Sequence, residues 1–206
     1  MVVYPRKDDY VERQRQVNLF HSDGTFEGPG DVEAARLWVT EARNALPSGR
    51  GSVLEVGCRT GLACWHIARA LPDAQVVGVD VVPEFINIAA YRMPTNGLSY
   101  SVVDVHALGD SGPHDLVFSD AVLEHTHDAS LAMGECLRVT KPGGTMVARI
   151  DLCPMHSQPN PSHYTVGTTA EWWAGVAAKL INGGGGDVLT WCRLGDAVVL
   201  RVVRGK

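Results

Sequence analysis

Residues 53–61, with the sequence VLEVGCRTG, constrain the fold more than any other part of the chain. Their first half is apolar, which is typical of a strand covered on both faces of a parallel sheet. Gly57 and Gly61 then predict a tight turn in which the backbone comes close to a ligand. Residues 62–71 have the apolar spacing of a helix. Because free backbone N–H groups converge where such a helix begins, the segment predicts a nucleotide-type pocket.

Acidic residues near this turn favour one kind of ligand. The carboxylate of Glu55 would repel phosphate and attract a cation, so a cationic nucleoside is favoured over a dinucleotide. A second apolar segment ends at Asp80, about 20 residues beyond the turn, where an acid accepts hydrogen bonds from ribose hydroxyls. The dinucleotide fingerprint G-x-G-x-x-G fails, because Arg59 and Leu62 occupy its second and third glycine positions. A nicotinamide-dependent oxidoreductase is therefore a disfavoured alternative.

Five segments of the chain together resemble the class I S-adenosylmethionine-dependent methyltransferases. The glycine turn and the strand ending in Asp80 are similar to that family's first two motifs, and residues 100–106 to its third strand. Residues 114–125 (HDLVFSDAVLEH) resemble its fourth strand and the following loop. Residues 137–150 (LRVTKPGGTMVARI) resemble its turn before the fifth strand. The segments follow the family's order with helix-length gaps, over residues 50–150.

The resemblance implies an α/β fold, a Rossmann-like, seven-stranded, mostly parallel sheet with helices on both faces. Its strand order would be 3-2-1-4-5-7-6, with the last strand antiparallel. The alternation of strand-like and helix-like segments favours the same class, and residues 188–203 predict a terminal hairpin. We expect one methyltransferase domain over residues 1–206, with an N-terminal lid (1–30), a cofactor-binding core (31–150) and an acceptor-side helix with the hairpin (151–206).

The resemblance also implies that S-adenosylmethionine binds at the carboxyl ends of the first, second and fourth strands and leaves as S-adenosylhomocysteine. Asp104 would face the adenine amino group, and Ser119 would flank the methionine part. Three alternatives stay open: a merely structural strand–turn–helix, Asp80 as a helix N-cap, and Asp104 as a solvated loop acid. The N-terminal lid is expected to contact the cofactor. The predicted cofactor residues are Glu55, Gly57, Cys58, Gly61, Asp80, Val81, Asp104, Val105, Ser119, Tyr10 and Phe20.

Arg59 departs from the family pattern, which usually places glycine at the middle of this turn. We expect its side chain to point outward while its backbone lines the pocket. The alternatives are a pair with Glu55 or a contact with an acidic acceptor.

His125 is the predicted general base for an acceptor that carries a proton. It lies just beyond the fourth strand, at the edge where open α/β sheets bind ligands, and imidazole titrates near neutrality. The alternative is a loop histidine that packs against the sheet. His163 and Tyr164, after the fifth strand, are further catalytic candidates. Together with His125, Asp151 and His156 they also allow a general-base pair or a divalent metal site, although the favoured interpretation holds no metal.

Composition limits the possible partners. With 18 basic and 23 acidic residues the net charge is -5, which argues against a nucleic-acid partner. No apolar run approaches the roughly 20 residues that span a membrane. The five scattered cysteines predict reduced, buried thiols, and the first residues lack the apolar core of a signal peptide, so we expect a cytoplasmic protein.

We therefore expect a monomer or homodimer that methylates an oxygen or nitrogen of a small-molecule acceptor. Two other functions stay open. One is a pericyclase-like enzyme that uses the sulfonium only as a positive charge. The other is a non-catalytic partner subunit, which the retained acids Glu55, Asp80 and Asp104 argue against.

Overall fold

The computed structural model describes residues 29–152, 168–181 and 187–205. The predictions for Tyr10, Phe20, His163 and Tyr164 lie outside the described residues. The chain divides into two compact units, one ending at Asp104 and one beginning with the next residue. Each unit combines strands with helices, and each is described by itself below.

The described part of the first unit, residues 29–104, holds three parallel strands and three helices. The register pairs β1 with β2 and β2 with β3. Residues 53–56 of β1 are all buried, as expected for a strand covered on both faces. The helix before it begins at Pro29, since proline's fixed φ suits a first helical turn. The elements are α1 (Pro29–Ala45), β1 (Gly51–Val56), α2 (Leu62–Ala70), β2 (Ala74–Asp80), α3 (Pro83–Arg92) and β3 (Leu98–Val102).

The second unit carries a mixed set of strands. β4 pairs with β5 in parallel, whereas β7 is antiparallel to both β5 and β6. The predicted hairpin is confirmed, with Leu194 opposite Ala197 around Gly195 at φ 60°. The elements are β4 (His114–Asp120), α4 (Ala129–Val139), β5 (Thr140–Asp151), α5 (Ala170–Ile181), β6 (Val188–Leu194) and β7 (Ala197–Val203), with 3₁₀ turns at Val105–Ala107 and Leu123–His125.

The sheet has seven strands in the order β3-β2-β1-β4-β5-β7-β6. This confirms the predicted fold class, including the antiparallel position of the last strand. In the described ranges no helix is long and apolar enough to cross a membrane.

Two details differ from the sequence prediction. The segment expected to form a turn before the fifth strand is part of β5, and the register between β4 and β5 shifts there, so Thr145 rather than the preceding residues pairs with Leu116. Gly143, at φ 77°, lies in this irregular stretch. The second difference is Cys192, which is exposed on β6, whereas Cys58, Cys64 and Cys136 are buried free thiols as expected.

Candidate functional site

The glycine turn after β1 is held to the end of β2. The N–H groups of Gly57 and Cys58 both donate to the carbonyl of Val79, at 2.7 and 2.9 Å. Gly57 and Gly61 adopt φ angles of 78° and 85°, in the left-handed region that glycine tolerates. Arg59 lies between them at φ 48°. This conformation explains why glycine is usual at that position of the family pattern, and the Arg59 side chain is exposed, as predicted.

Asp80 holds the turn from the other side. Its Oδ2 accepts the backbone N–H of Arg59 at 3.0 Å and its Oδ1 accepts that of Val82 at 2.9 Å. The carboxylate is buried, and burial raises its pKa although the two amide hydrogen bonds oppose the shift. Val82, rather than Asp80, is the N-cap residue of α3. Each carboxylate oxygen retains a second lone pair, so the group can also accept hydroxyl donors.

Glu55, a residue of β1, places its carboxylate at the start of α2. Its Oε2 accepts the backbone N–H of Cys64 at 3.1 Å and the Cys64 thiol at 2.8 Å. Gly61, the N-cap residue of this helix, has no side-chain capping hydrogen bond. The carboxylate therefore satisfies one of the open N–H groups of the first turn. Glu55 is only 6% exposed, so these hydrogen bonds are shielded from competition by water.

The two cysteines beside the turn are neutral thiols. Burial raises the pKa of Cys58 well above its ordinary value, and the charges of Glu55 and Asp80 raise it further. Burial and the neighbouring Glu55 act on Cys64 in the same way. A neutral thiol cannot bring negative charge to a ligand, so the predicted contribution of Cys58 rests on its backbone.

Tyr100 completes the turn, a role that the sequence analysis missed. Its hydroxyl donates to the carbonyl of Gly61 at 3.1 Å. A Cβ placed on Gly61 would lie 2.7 Å from the ring and would collide with the hydroxyl, and one on Gly78 would lie 2.8 Å from the same ring. Both glycines are therefore required by the tyrosine that packs against them. No local sequence pattern shows this contact, because Tyr100 is 39 residues from Gly61.

The remaining predicted cofactor residues of the first unit follow the strand ends. Val81 comes directly after β2, and Asp104 comes two residues after β3; both are half-buried. The N–H of Val103 donates to the carbonyl of Asp80 at 2.9 Å, which joins the ends of these two strands. Glu55, the glycine turn, Asp80 and Val81 thus lie at one edge of the three-stranded sheet, with Asp104 after its outer strand.

In the second unit, Ser119 lies near the carboxyl end of β4 and Val105 opens a 3₁₀ turn. Ser119 is 1% exposed, and its hydroxyl has no hydrogen-bond partner among the described residues. Burying a hydroxyl without a partner costs about 1–3 kcal/mol. A Ser119 hydroxyl without a partner in the described part of the chain is consistent with a polar ligand that binds at this end of β4.

A cluster of charges occupies the ends of β4 and β5. Arg149 Nε lies 2.6 Å from Asp120 Oδ1, and its Nη1 lies 2.5 Å from Asp151 Oδ1. Glu124 is fully buried in the turn after β4, where its Oε1 accepts the N–H of Asp151 at 2.9 Å. Burial raises the pKa of Glu124 to about 8. Glu124 is not among the predicted site residues, although an acid that follows an apolar strand next to a histidine is a visible signal.

His125 lies in the same turn as Glu124. It is half-buried, and its N–H donates to the carbonyl of Val122 at 2.9 Å. The turn is further closed by the Thr126 hydroxyl, which donates to the carbonyl of Leu123 at 2.6 Å. Within the described ranges, no group of three or more His, Cys, Asp or Glu side chains could hold a metal ion.

Comparison with known families identifies this part of the chain. Residues 54–148 match the family model described as Methyltransferase domain. These residues therefore match a methyltransferase domain, in agreement with the class I S-adenosylmethionine-dependent family that the motifs resemble. The resemblance drawn from the sequence motifs is thereby confirmed. The matched residues include the glycine turn, Asp80, Asp120 and Glu124, whereas Arg149 and Asp151 lie just beyond them.

Relatives and solved structures agree with a methyltransferase domain. The chain is 32% identical over 128 residues to the ubiquinone biosynthesis O-methyltransferase of Methylococcus capsulatus (strain ATCC 33009 / NCIMB 11132 / Bath), a match that covers 60% of this chain and 52% of that protein. The chain spans about half the length of the curated relatives that it matches first.

Two solved structures share the fold. The N-methyltransferase NodS from Bradyrhizobium japonicum WM9, solved with S-adenosylhomocysteine, has a TM-score of 0.62 at 19% identity, covering 88% of this chain and 90% of that one. The [4+2]-cyclase SpnF has a TM-score of 0.67 at 19% identity, covering 84% of this chain and 82% of that one. At such low identity these likenesses establish the methyltransferase fold alone.

Proposed function

We propose that the protein transfers the methyl group of S-adenosylmethionine to an oxygen or nitrogen of a small-molecule acceptor. The observation that carries this proposal is the buried Asp80 carboxylate, fixed by the amides of Arg59 and Val82 beside a glycine turn. The family match, together with a structural neighbour that binds S-adenosylhomocysteine, supports the cofactor. The orphaned hydroxyl of Ser119 also fits a polar ligand at the end of β4.

In the first unit, the residues at the sheet edge would bind the nucleoside. Asp80 would accept the ribose hydroxyls, because its oxygens are already oriented by two amides and need no rearrangement. The Gly57 and Gly61 backbone permits close approach, and the buried charge of Glu55 favours a cationic ligand. Asp104 would contact the adenine, and Val81 and Cys58 would line the site through their backbones. These assignments rest on position and chemistry.

In the second unit, the turn after β4 would serve the acceptor. When bound, S-adenosylmethionine supplies an electrophilic methyl group on a sulfonium, so the chain itself needs no nucleophile. A neutral His125 imidazole would accept the proton of an acceptor hydroxyl or amine. Glu124 would act as a positioning residue, because its hydrogen bond to the Asp151 N–H ties the turn that carries His125 to the end of β5. Val105 and Ser119 would contribute contacts to the cofactor.

Names of related proteins support the acceptor class. The relative from Methylococcus capsulatus is named for O-methylation in ubiquinone biosynthesis, and NodS is named as an N-methyltransferase. Oxygen and nitrogen acceptors of small-molecule size are both consistent with these names. A cytoplasmic location, a single domain over the whole chain and a monomeric or homodimeric state remain proposals that fractionation and light scattering would test.

A cyclase is the second candidate, because SpnF, a [4+2]-cyclase, has the same fold. In such a reaction the sulfonium would serve only as a positive charge, and the C–S bond to the methyl group would stay intact. The two candidates differ in where a labelled methyl group ends. Incubation of the protein and a panel of phenol, carboxylate and amine acceptors with methyl-labelled cofactor should leave label in a new product.

Calorimetric titration with S-adenosylhomocysteine tests the cofactor independently of the acceptor. Binding of S-adenosylhomocysteine, together with label that stays on S-adenosylmethionine for every acceptor, would contradict transfer to these acceptor classes and leave the cyclase as the candidate. Failure to bind would contradict both candidates and leave the partner-subunit function. A fluorescence titration with reduced nicotinamide dinucleotide is the matched negative control, since the second and third glycines of that fingerprint are missing.

A further inference from the structure

A basic groove lies between α1 and α2 in the first unit, on residues that the cofactor site does not use. It is an open groove with a volume of about 450 Å³, within the size range of pockets for small ligands. The α1 residues follow an i, i+3, i+4, i+7 spacing and therefore form one stripe along the helix. The groove is lined by Arg36, Val39, Thr40 and Arg43 from α1 and by His66, Arg69 and Ala70 from α2.

The groove concentrates positive charge in an acidic protein. Three guanidinium groups and one imidazole line it, and no carboxylate occurs among these described lining residues, although the chain has a net charge of -5. Other arginines pair with acids: Arg50 lies 3.6 Å from Asp73, and Arg138 lies 2.7 Å from Glu135. No described carboxylate forms such a pair with an arginine of the groove. Like charges that share a groove repel one another and raise its affinity for an anion.

The helix dipoles account for only part of this arrangement. Arg43 and Arg69 lie in the last turns of their helices, where a positive charge complements the dipole. Arg36 lies in the middle of α1, so the dipole does not explain it. Arg69 is also fixed by a cation–π contact, with its guanidinium carbon 4.5 Å from the Trp65 ring centroid. A fixed guanidinium loses less entropy when it binds an anion.

We infer that this groove binds a small anion that bears at least two phosphate groups. Arg43 lies seven positions after Arg36 on the helix, a rise of about 10 Å, so one phosphate cannot engage both closely. Guanidinium groups form bidentate hydrogen bonds with phosphate oxygens, and a short phosphate chain would reach both arginines and Arg69 on the facing helix. α1 also carries the acidic residues Glu33 and Glu41, so the positive charge of this helix is limited to the groove. A positive surface of this small extent favours a small anion over nucleic acid.

Inorganic triphosphate is the probe, titrated calorimetrically into the full chain at low and at physiological salt. We expect binding that weakens with salt and that falls by at least about 10-fold in the double variant Arg36→Gln/Arg43→Gln and in Arg69→Gln alone. Arg92→Gln, which changes an exposed arginine in the last turn of α3, is the matched control and should keep the wild-type affinity. Affinity for S-adenosylhomocysteine should stay unchanged in every variant.

Several results would overturn this inference. They are no heat with millimolar triphosphate, equal affinity in the double variant, or equal loss in Arg92→Gln. Citrate binding more tightly than triphosphate would replace phosphates by carboxylates as the ligand chemistry, and a single-stranded oligonucleotide binding more tightly would replace the small anion by nucleic acid. Thermal unfolding of the free variants checks folding. We expect only a small change in Tm, because relief of like-charge repulsion opposes the lost contacts with the helix dipoles and with Trp65.

Discussion

Replacing Asp80 by alanine tests the cofactor site most directly. The substitution removes the acceptor of two amides, the part-buried N–H of Arg59 and the buried N–H of Val82. Each amide left without a partner costs about 1–3 kcal/mol, but the variant also escapes the desolvation penalty that raises the pKa of Asp80. We therefore expect a net loss of about 1–3 kcal/mol in the free energy of unfolding. Loss of a charged acceptor for ribose should weaken cofactor binding by a further 1–3 kcal/mol or so, about 5- to 150-fold in Kd.

Urea unfolding and calorimetry with S-adenosylhomocysteine separate these two effects. Asp73→Ala is the matched control, because this exposed aspartate pairs with Arg50 away from the turn and should leave both measurements unchanged. Asp80→Asn keeps the side-chain volume and one acceptor oxygen, so it should retain more stability than alanine while still weakening the cofactor. A folded Asp80→Ala variant that binds with wild-type affinity would refute the ribose assignment.

Three further predictions concern other parts of the site. His125→Ala should lower turnover about 100-fold or more in steady-state assays with little change in cofactor affinity, and normal turnover would contradict its role as base. The pKa of Glu124 is raised from 4.5 to about 8 in the folded state, so between these two pH values the folded state holds a proton that the unfolded state has lost. The free energy of unfolding of the wild type should therefore fall by about 1.4 kcal/mol for each pH unit of increase in this range. Glu124→Gln should lack this slope in urea titrations at several pH values, and a parallel slope would refute the assignment. Gly61→Ala should destabilise the fold by several kcal/mol, because the added Cβ would collide with Tyr100. The control Gly49→Ala has a similar φ and open space among the described residues, so it should cost only about 1 kcal/mol. Equal losses of stability in thermal unfolding would contradict the packing argument.

The sheet was predictable from sequence because its signals are local. Residues 53–56 are apolar without interruption, and the glycines at 57 and 61 punctuate the chain where the backbone must turn. Helix-length gaps between such segments then limit the possible topologies to a parallel, doubly wound sheet. The exact strand order was predicted from the family resemblance alone, because the composition of the segments does not indicate which strands are neighbours in the sheet.

The contacts that shape the site were not predictable in the same way. Tyr100 meets Gly61 across 39 residues, and Glu124 meets Asp151 across 27. No periodic pattern links such pairs, since each contact arises only when separate strands are placed side by side. The raised pKa of Glu124 follows from complete burial, which depends on the packing of the whole second unit. The local sequence therefore shows an acid next to the predicted base His125, but it does not show that this acid is buried and bonded to the end of β5.

Arg59 shows how the turn and the ribose acceptor depend on each other. A non-glycine residue in the left-handed region costs about 1–2 kcal/mol, and Arg59 adopts φ 48°. In that conformation its N–H donates to Asp80 at 3.0 Å, and a hydrogen bond to a charged acceptor contributes an amount of similar size. The carboxylate thus stabilises the backbone conformation that a glycine would otherwise supply, and the same backbone N–H orients the carboxylate. A change at either residue must therefore alter the geometry of the other. The conformation of the turn is thus determined by Arg59 and Asp80 together and not by the two glycines alone.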